Sequence, residues 1–400
     1  MTEVVLEPTA MAAGGAALAR DAEGRVVFVE GALPGEQVRA RITEVRKDFS
    51  RAVTVDVLDP SPDRIAPPCA ALAAGCGGCT WQHVAPGAQH RLKAAIVVDA
   101  LRRIGRLAEP PPPAVFPTEG RSLRTTARLA VSAAGRPGHR PRSGSGAIET
   151  DECGAAHPRL GELIVAGRFP GATEVLLRVG VAGGERLARV DRLDKPADVP
   201  ADVVVATRGD RRQPAVHEVV AGRPFRISAG SFFQPGPVAA AALAGAVRAA
   251  VGDGLAPGGV LVDAYAGVGL LGSVLGAEHG ARVVAIENDP VAVADARSNL
   301  ADLDGRVIPV NVGKWRAERA DVVVADPSRT GLGRPGVGAL TAAGAPRLVL
   351  VSCDPASLAR DSALLAEAGY RLCSVALVDS FPDTFHVETV SRFDRRPGAT

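Results

Sequence analysis

No run of apolar residues in this chain reaches the length of a membrane span without Gly, Pro or a charge interrupting it, which excludes a transmembrane helix. No stretch near the N-terminus has the apolar core of a signal peptide, so a soluble, cytoplasmic protein is the expectation. Net charge is nearly absent, +2 over 400 residues, and argues neither for nor against a polyanionic partner. Aromatic residues make up only 4% of the chain while Ala, Gly, Pro and Arg abound, a bias that weakens readings resting on propensity alone. Cysteine is sparse too, with six in all. In the cytoplasm these thiols stay reduced, which excludes a disulfide framework and turns attention to metal binding or catalysis. A single hydrophobic core is excluded by length, and two or more domains are expected.

What is present divides the chain into three. Residues 1–59 alternate apolar and polar ("GRVVFVEG", "EQVRARITEV", "RAVTVDVLD") between turn sequences such as "GALPGE", the pattern of a small β-barrel. Residues 60–87 are rich in Pro, Gly and Cys and read as loop. "RLKAAIVVDALRRIGRL" (91–107) has helical periodicity and should end at Glu109, before a run of prolines. Strand-like runs dominate 121–225, so a mostly antiparallel domain is expected over 60–235. From 236 to 400, apolar strand runs ("GVLVDAYAG", "ARVVAIEND", "ADVVVADPS", "PRLVLVSCD") alternate with Ala-rich helical segments, the pattern of a doubly wound parallel sheet. Charge is uneven: residues 88–146 hold 11 Lys/Arg against 3 Asp/Glu, and residues 1–59 hold 7 against 10. A solvated surface is the ordinary reading of that basic excess, and a phosphate backbone is the functional one.

"LVDAYAGVGLLG" (261–272) sets Gly267 and Gly269 where a buried strand turns into a helix, so that a ligand can approach the backbone. The next strand ends in Glu287, where a carboxylate can chelate ribose hydroxyls of NAD or of S-adenosylmethionine. "ADPSR" and Cys353 end two further strands with polar side chains that line a substrate cleft, which suits group transfer better than hydride transfer. A cysteine in a strand is more often a buried core thiol. Cys353, however, stands at the strand's carboxyl end before "PASLARD", a helix start whose dipole should lower the thiol's pKa and favour thiolate. Downstream, "FPDTFHVETV" offers His386 and Glu388 in an apolar stretch, where an unpaired carboxylate acquires a raised pKa.

Thiolate and base together suit methylation at C5 of uracil. Sulfur adds at C6, the resulting enolate attacks the methyl of a sulfonium donor from C5, and a base removes the C5 proton so that sulfur can leave. A separate group, Cys69, Cys76 and Cys79 in "CAALAAGCGGCTWQH", with Cys153 in "DECGAAHP" as a fourth ligand, reads as a metal site. Zinc and an iron–sulfur cluster both accept four thiolates, and spacing does not choose between them.

With these residues in view the chain resembles the RNA uracil-C5 methyltransferases, and among them the members with a TRAM domain and a [4Fe–4S] cluster. The resemblance covers nearly the whole chain. "GRVVFVEGALPGE" is similar to the TRAM barrel, an RNA-binding module, and the cysteine pattern to the family's cluster ligands Cys69, Cys76, Cys79 and Cys153. "AGSFFQ" resembles the entry to the methyltransferase domain and implies donor contact by Gln234; Tyr265, Gly267, Gly269 and Glu287 are implied on the donor side as well. "SCDPASLARD" and "HVE" imply Cys353 as nucleophile and Glu388 as base, and "DPSR" puts Asp326 in the site. The chain departs from the family at Ala266, Leu270 and Ser328, and carries Asn311 where an acid near the adenine is usual.

The implied fold is a multi-domain α/β protein: an OB-like TRAM barrel over 1–59, a central mostly antiparallel α+β domain over 60–235 with the cysteine loop (69–79 plus 153) and the basic segment 88–146, and a class I, Rossmann-like methyltransferase domain over 236–400. The implied cofactors are S-adenosylmethionine and a [4Fe–4S] cluster. The implied partner is RNA, ribosomal (23S-type) rather than transfer RNA, with no membrane and a monomeric protein. Two rivals are an enzyme methylating an exocyclic amine, which would leave Cys353 and Glu388 without work, and a non-catalytic RNA-binding or chaperone protein retaining the donor fold.

Overall fold

The computed structural model of the protein describes residues 2–118 and 123–398. Residues 119–122 of the basic segment lie outside the described residues. The first unit is a six-stranded sheet of β1 (Glu3–Leu6), β2 (Ala10–Met11), β3 (Ala17–Arg20), β4 (Val26–Glu30), β5 (Gln37–Val45) and β6 (Phe49–Asp59), ordered β1-β5-β6-β4-β3-β2. The alternation read from the sequence is the in–out alternation of its strands, and Val27, Val29, Val38 and Ala40 face the inside. Trp81, Val84, Ala88 and Ile96 of the following segment complete that core.

That segment holds the short helix α1 (Ala70–Ala73), the long helix α2 (Pro86–Arg103) and the strand β7 (Ala114–Phe116). Pro86, in the first turn, opens α2 earlier than its periodicity implied. A left-handed residue, Arg106 at φ +54°, stops it before Glu109. The middle unit is a sheet ordered β12-β11-β10-β8-β9, antiparallel except for the last pair, β11 with β12. Its strands are β8 (Thr126–Val131), β9 (Pro137–Gly138), β10 (Glu174–Val179), β11 (Arg186–Val190) and β12 (Val203–Thr207), and helix α3 (Pro158–Ala166) packs on it. The hairpin β13 (Ala215–Val220) and β14 (Arg223–Ser228) leads to the last unit.

There, α4 (Pro237–Val251), β15 (Val260–Ala264), α5 (Leu270–His279), β16 (Arg282–Glu287), α6 (Pro290–Asn299), β17 (Gly305–Pro309), β18 (Val322–Ala325), α7 (Gly333–Thr341), β19 (Arg347–Ser352), α8 (Pro355–Glu367), β20 (Tyr370–Val378) and β21 (Glu388–Arg395) form a doubly wound sheet. Its order is β17-β16-β15-β18-β19-β21-β20-β7. β21 runs antiparallel between β19 and β20, and the order reverses at β15 and β18, where a cleft opens at the carboxyl ends of the strands. Apolar layers cover both faces. β7 is an edge strand of this sheet, and Val97, Ala100 and Leu101 of α2 join its core beside Leu358 and Ala359. Part of the chain between 60 and 235 is thus built into the C-terminal unit.

Part of the basic excess of residues 88–146 is paired within the fold. The fold brings acids from other segments to it: Asp63 to Arg91, Glu174 to both Arg128 and Arg140, and Glu149 and Asp151 to Arg136. Lys93 is fully buried, its ammonium 2.7 Å from Asp379 and 3.0 Å from the Phe381 carbonyl, which tethers α2 to the loop between β20 and β21. A buried charge stripped of its partner is costly. Lys93→Met should therefore lose roughly 3 kcal/mol of stability, seen as a lower urea midpoint at unchanged slope.

Candidate active site

Strand β19 is buried along nearly its whole length and ends at Ser352. Asp354 caps helix α8 by accepting from Ser357 N at 2.7 Å, and Pro355 follows in its first turn. Cys353 is the single residue between strand and helix, partly exposed at the cleft. The antiparallel register of β19 with β21 pairs Leu350 with Ser391, Val351 with Val390 and Ser352 with Thr389. The ladder ends there, Cys353 and Glu388 are the next residues on the two chains, and the Glu388 charge reaches the Cys353 thiol. Asp326 immediately follows β18, whose Ala325 pairs with Leu350, and its amide donates to the Ala264 carbonyl. Nucleophile candidate, base candidate and the "DPSR" aspartate therefore converge on neighbouring strand ends.

The other side of the cleft is built by the glycine turn after β15. Tyr265, not a glycine, lies at φ +60°, a strained position for a side chain of that size and one that a functional turn tolerates. Gly269 caps α5 at φ +83°. A Cβ on Gly272 would fall 2.8 Å from an Asp263 carboxylate oxygen and 2.9 Å from Val283, so the third glycine serves close packing. A Cβ on Gly267 would meet nothing within 4 Å, which leaves its face open to a ligand. Glu287 accepts from Gly267 N at 2.9 Å and from Asn288 N and Asp289 N, so its carboxylate is pinned beside the turn. Asn311 lies two residues beyond β17 and its side chain accepts from Gly313 N at 3.0 Å. Gln234 is buried between β14 and α4.

A TRAM domain model matches residues 3–55. A protein named as an uncharacterized RNA methyltransferase of Streptomyces coelicolor is 38% identical over 97% of this chain and 92% of its own length. The chain belongs to the RNA methyltransferase family. The 23S rRNA (uracil(1939)-C(5))-methyltransferase RlmD of Aeromonas salmonicida is 29% identical, over 93% of this chain and 92% of its own. The solved tRNA (uracil-54, C5)-methyltransferase of Pyrococcus abyssi, in complex with S-adenosyl-L-homocysteine, covers 98% of this chain and 100% of its own at TM-score 0.75 and 21% identity, a likeness of fold.

The electrostatics of this RNA methyltransferase correct one expectation. Cys353 is not poised as a thiolate. Burial, with the negative charges of Glu388 and Asp326 beside it, pushes its pKa up to about 11, and Arg329 offsets only part of this. The helix-start effect is outweighed because two carboxylates and desolvation act on the same sulfur. The carboxylates are themselves perturbed. Burial raises Asp263 and Asp326 to about 7, and burial and the charge of Asp326 push Glu388 well above its usual range. Burial lowers His386 to about 4, so its ring is neutral, set against Phe385 at 4.4 Å between centroids.

Cys69, Cys76, Cys79 and Cys153 line one small pocket partly open to solvent, together with Gln82 and His139. Among the described residues, no three His, Cys, Asp or Glu side chains converge tightly enough to hold one ion. Burial raises the Cys76 and Cys79 thiols, and the charge of Cys153 adds to the shift at both. Gly78 N donates to Cys76 Sγ at 3.4 Å, and Cys153 Sγ lies 3.5 Å from His139 Nε2.

Sequence reasoning missed the clamp that holds the "AGSFFQ" turn. Arg178 of β10 is buried and donates to the carbonyls of Ser228 and Ser231 at 2.8 and 2.9 Å. Asp295 of α6, fully buried, accepts from Ser228 N at 2.8 Å and Ser231 Oγ at 2.6 Å and pairs with Arg226. Gln234 is thus held from the middle unit and the methyltransferase unit together. The only signal in the sequence was an Arg in a strand and an Asp in an Ala-rich helix, neither unusual alone.

A carboxyl whose pKa is raised on folding binds its proton more tightly in the native state. For Asp326, ordinarily at 3.8 and here at about 7, that contribution is complete below pH 4 and lost as pH rises towards 7. Asp326→Asn should therefore gain stability relative to the unmodified enzyme with rising pH, by up to about 1.4 kcal/mol per pH unit between pH 4 and 7. Urea denaturation at pH 5 and pH 8 measures it.

Proposed function

We propose that this RNA methyltransferase transfers a methyl group from S-adenosylmethionine to C5 of a uridine in ribosomal RNA, through a covalent bond between Cys353 and C6. The observation that supports this reading is the end of the β19–β21 ladder, where a thiol and a buried carboxylate follow the last pair and the charges of Glu388 and Asp326 both act on the sulfur. A methyltransferase acting on an exocyclic amine needs neither thiol nor this base. The likeness to the 23S rRNA enzyme over nearly the whole chain supports the ribosomal target.

The donor supplies an electrophilic methyl group when bound. The residues present fit it: the open face at Gly267, the left-handed turn at Tyr265 and Gly269, and the pinned carboxylate of Glu287, with Gln234 and Asn311 nearby in the chain's layout of strand ends. On this reading Cys353 enters as a thiol. As sulfur bonds to C6, its proton passes to ionised Asp326, while burial and the like charge of Asp326 keep Glu388 protonated. The C5=C6 electrons move onto the O4 enolate. After C5 is methylated, Glu388, having released its own proton to solvent, takes the C5 proton, the double bond re-forms, and sulfur leaves as thiolate and recovers the proton held by Asp326.

The cysteine pocket holds a [4Fe–4S] cluster on the same reading. The lining of one pocket by all four thiols supports a four-thiolate site, and the resemblance of the cysteine pattern to the family's cluster ligands favours iron–sulfur over zinc. A cationic iron core also removes the mutual repulsion that raises these thiols, and the Gly78 amide is a donor to ligating sulfur. The cluster would be bound by Cys69, Cys76, Cys79 and Cys153 and take no part in methyl transfer.

Cys353→Ala should abolish methylation, by at least about a thousandfold, and leave donor affinity by calorimetry unchanged within about twofold. Undiminished turnover would sink the mechanism. Glu388→Gln should accumulate a methylated enzyme–RNA adduct on a denaturing gel, because the C5 proton has no acceptor. Anaerobically purified protein should be brown with about four irons per chain; colourless protein with one zinc and full activity would refute the iron assignment.

A further inference from the structure

The candidate base is delivered by the loop Asp379–Val387, which joins β20 to β21. On the strand side Glu388 is fixed by its pairing with Val378. On the loop side the internal bonds are few, Thr384 Oγ1 to the Phe381 carbonyl and His386 N to Thr384 Oγ1. What holds the loop comes from elsewhere in the chain. Asp383 stands at φ +60°, a conformation it needs support to keep. Gln89 of α2, 2% exposed, grips it at two points: its Oε1 accepts from Asp383 N at 2.9 Å and its Nε2 donates to Asp383 Oδ1 at 3.1 Å. The same amide group donates to the Val84 carbonyl at 2.9 Å, and Trp81 N donates to the Asp383 carbonyl at 2.9 Å. Trp81 Nε1 in turn donates to the Gly15 carbonyl, and Phe385 lies so close to Gly15 that a Cβ there would fall 2.7 Å from its ring.

We propose that Gln89 is a positioning residue for Glu388: by locking Asp383 it fixes the loop from which the base enters β21, and so governs the second half of the reaction, removal of the C5 proton. The inference rests on the reading of Glu388 as base. Donor binding uses the other side of the sheet, at β15 and β16, and Cys353 is set by α8. Neither depends on this contact. A base displaced by a fraction of an ångström is a poor one, whereas bond formation by sulfur and methyl transfer are already complete when it acts.

The experiment measures, for the full-length protein with unmodified RNA substrate, turnover and the steady-state fraction of enzyme in the methylated adduct on a denaturing gel. Gln89→Met should lower kcat about tenfold, leave donor affinity unchanged, and raise the adduct fraction several-fold. Leu163→Ala, on α3 in the core of the middle unit, supplies a variant that is destabilised without touching the loop, and should show no added adduct. Should Gln89→Met fail to fold, Asp383→Ala removes the Oδ1 half of the grip from the other side and must also raise the adduct. Unchanged turnover, a fall in turnover with no adduct, or equal adduct in Leu163→Ala would overturn the proposal. Glu388→Gln is run in parallel: adduct there but not in Gln89→Met refutes the positioning role alone, whereas its absence in both refutes the base.

Discussion

The antiparallel register between β19 and β21 is the constraint on which the site depends. A strand ladder sets every pair once one pair is set, and here the pairing of Ser352 with Thr389 carries Cys353 to Glu388. A slip of one residue would turn Glu388 to the opposite face of the sheet. The register is held because Val349, Val351 and Val390 must enter one apolar layer while Leu348, Leu350 and Phe393 enter the other. The same packing that stabilises the unit therefore sets the distance across which chemistry takes place.

Burial then gives the site its character. Three carboxylates, Asp263, Asp326 and Glu388, are held where water cannot solvate their charge, which raises the two aspartates to about 7 and Glu388 well above its usual range. A single thiol among them is raised as well. A resting enzyme with a protonated cysteine is protected from adventitious oxidation and alkylation, since the thiolate is the reactive form. Reactivity appears only when an electron-poor ring arrives and a carboxylate is placed to take the proton.

Legibility in the sequence followed locality. The glycine turn, the Asp-Pro helix starts and the alternating barrel strands are each written within a few residues, and the structure has them where the text implies. Cys353 and Glu388 were legible as a pair only through the chemistry they could share, since neither carries its partner's position. Their electrostatics were not legible, because the thiol's pKa is set by Asp326, Glu388 and Arg329, which meet it only in three dimensions. Nor was the pairing of Lys93 with Asp379, or of Arg91 with Asp63 and Arg140 with Glu174, since these partners lie outside the segment. The sequence shows charge; the fold decides what cancels it.

The central claim is that sulfur of Cys353 bonds to C6 of the target base. A substrate RNA carrying 5-fluorouridine at the target cannot lose its C5 substituent as a proton, so the adduct should persist after methyl transfer. Mass spectrometry of the digested complex locates the bond. The account predicts one cross-linked peptide, containing Cys353 and a nucleotide heavier by one methyl group. Attachment at Cys373, or no adduct with a fluorinated RNA whose ordinary counterpart is methylated, would contradict it.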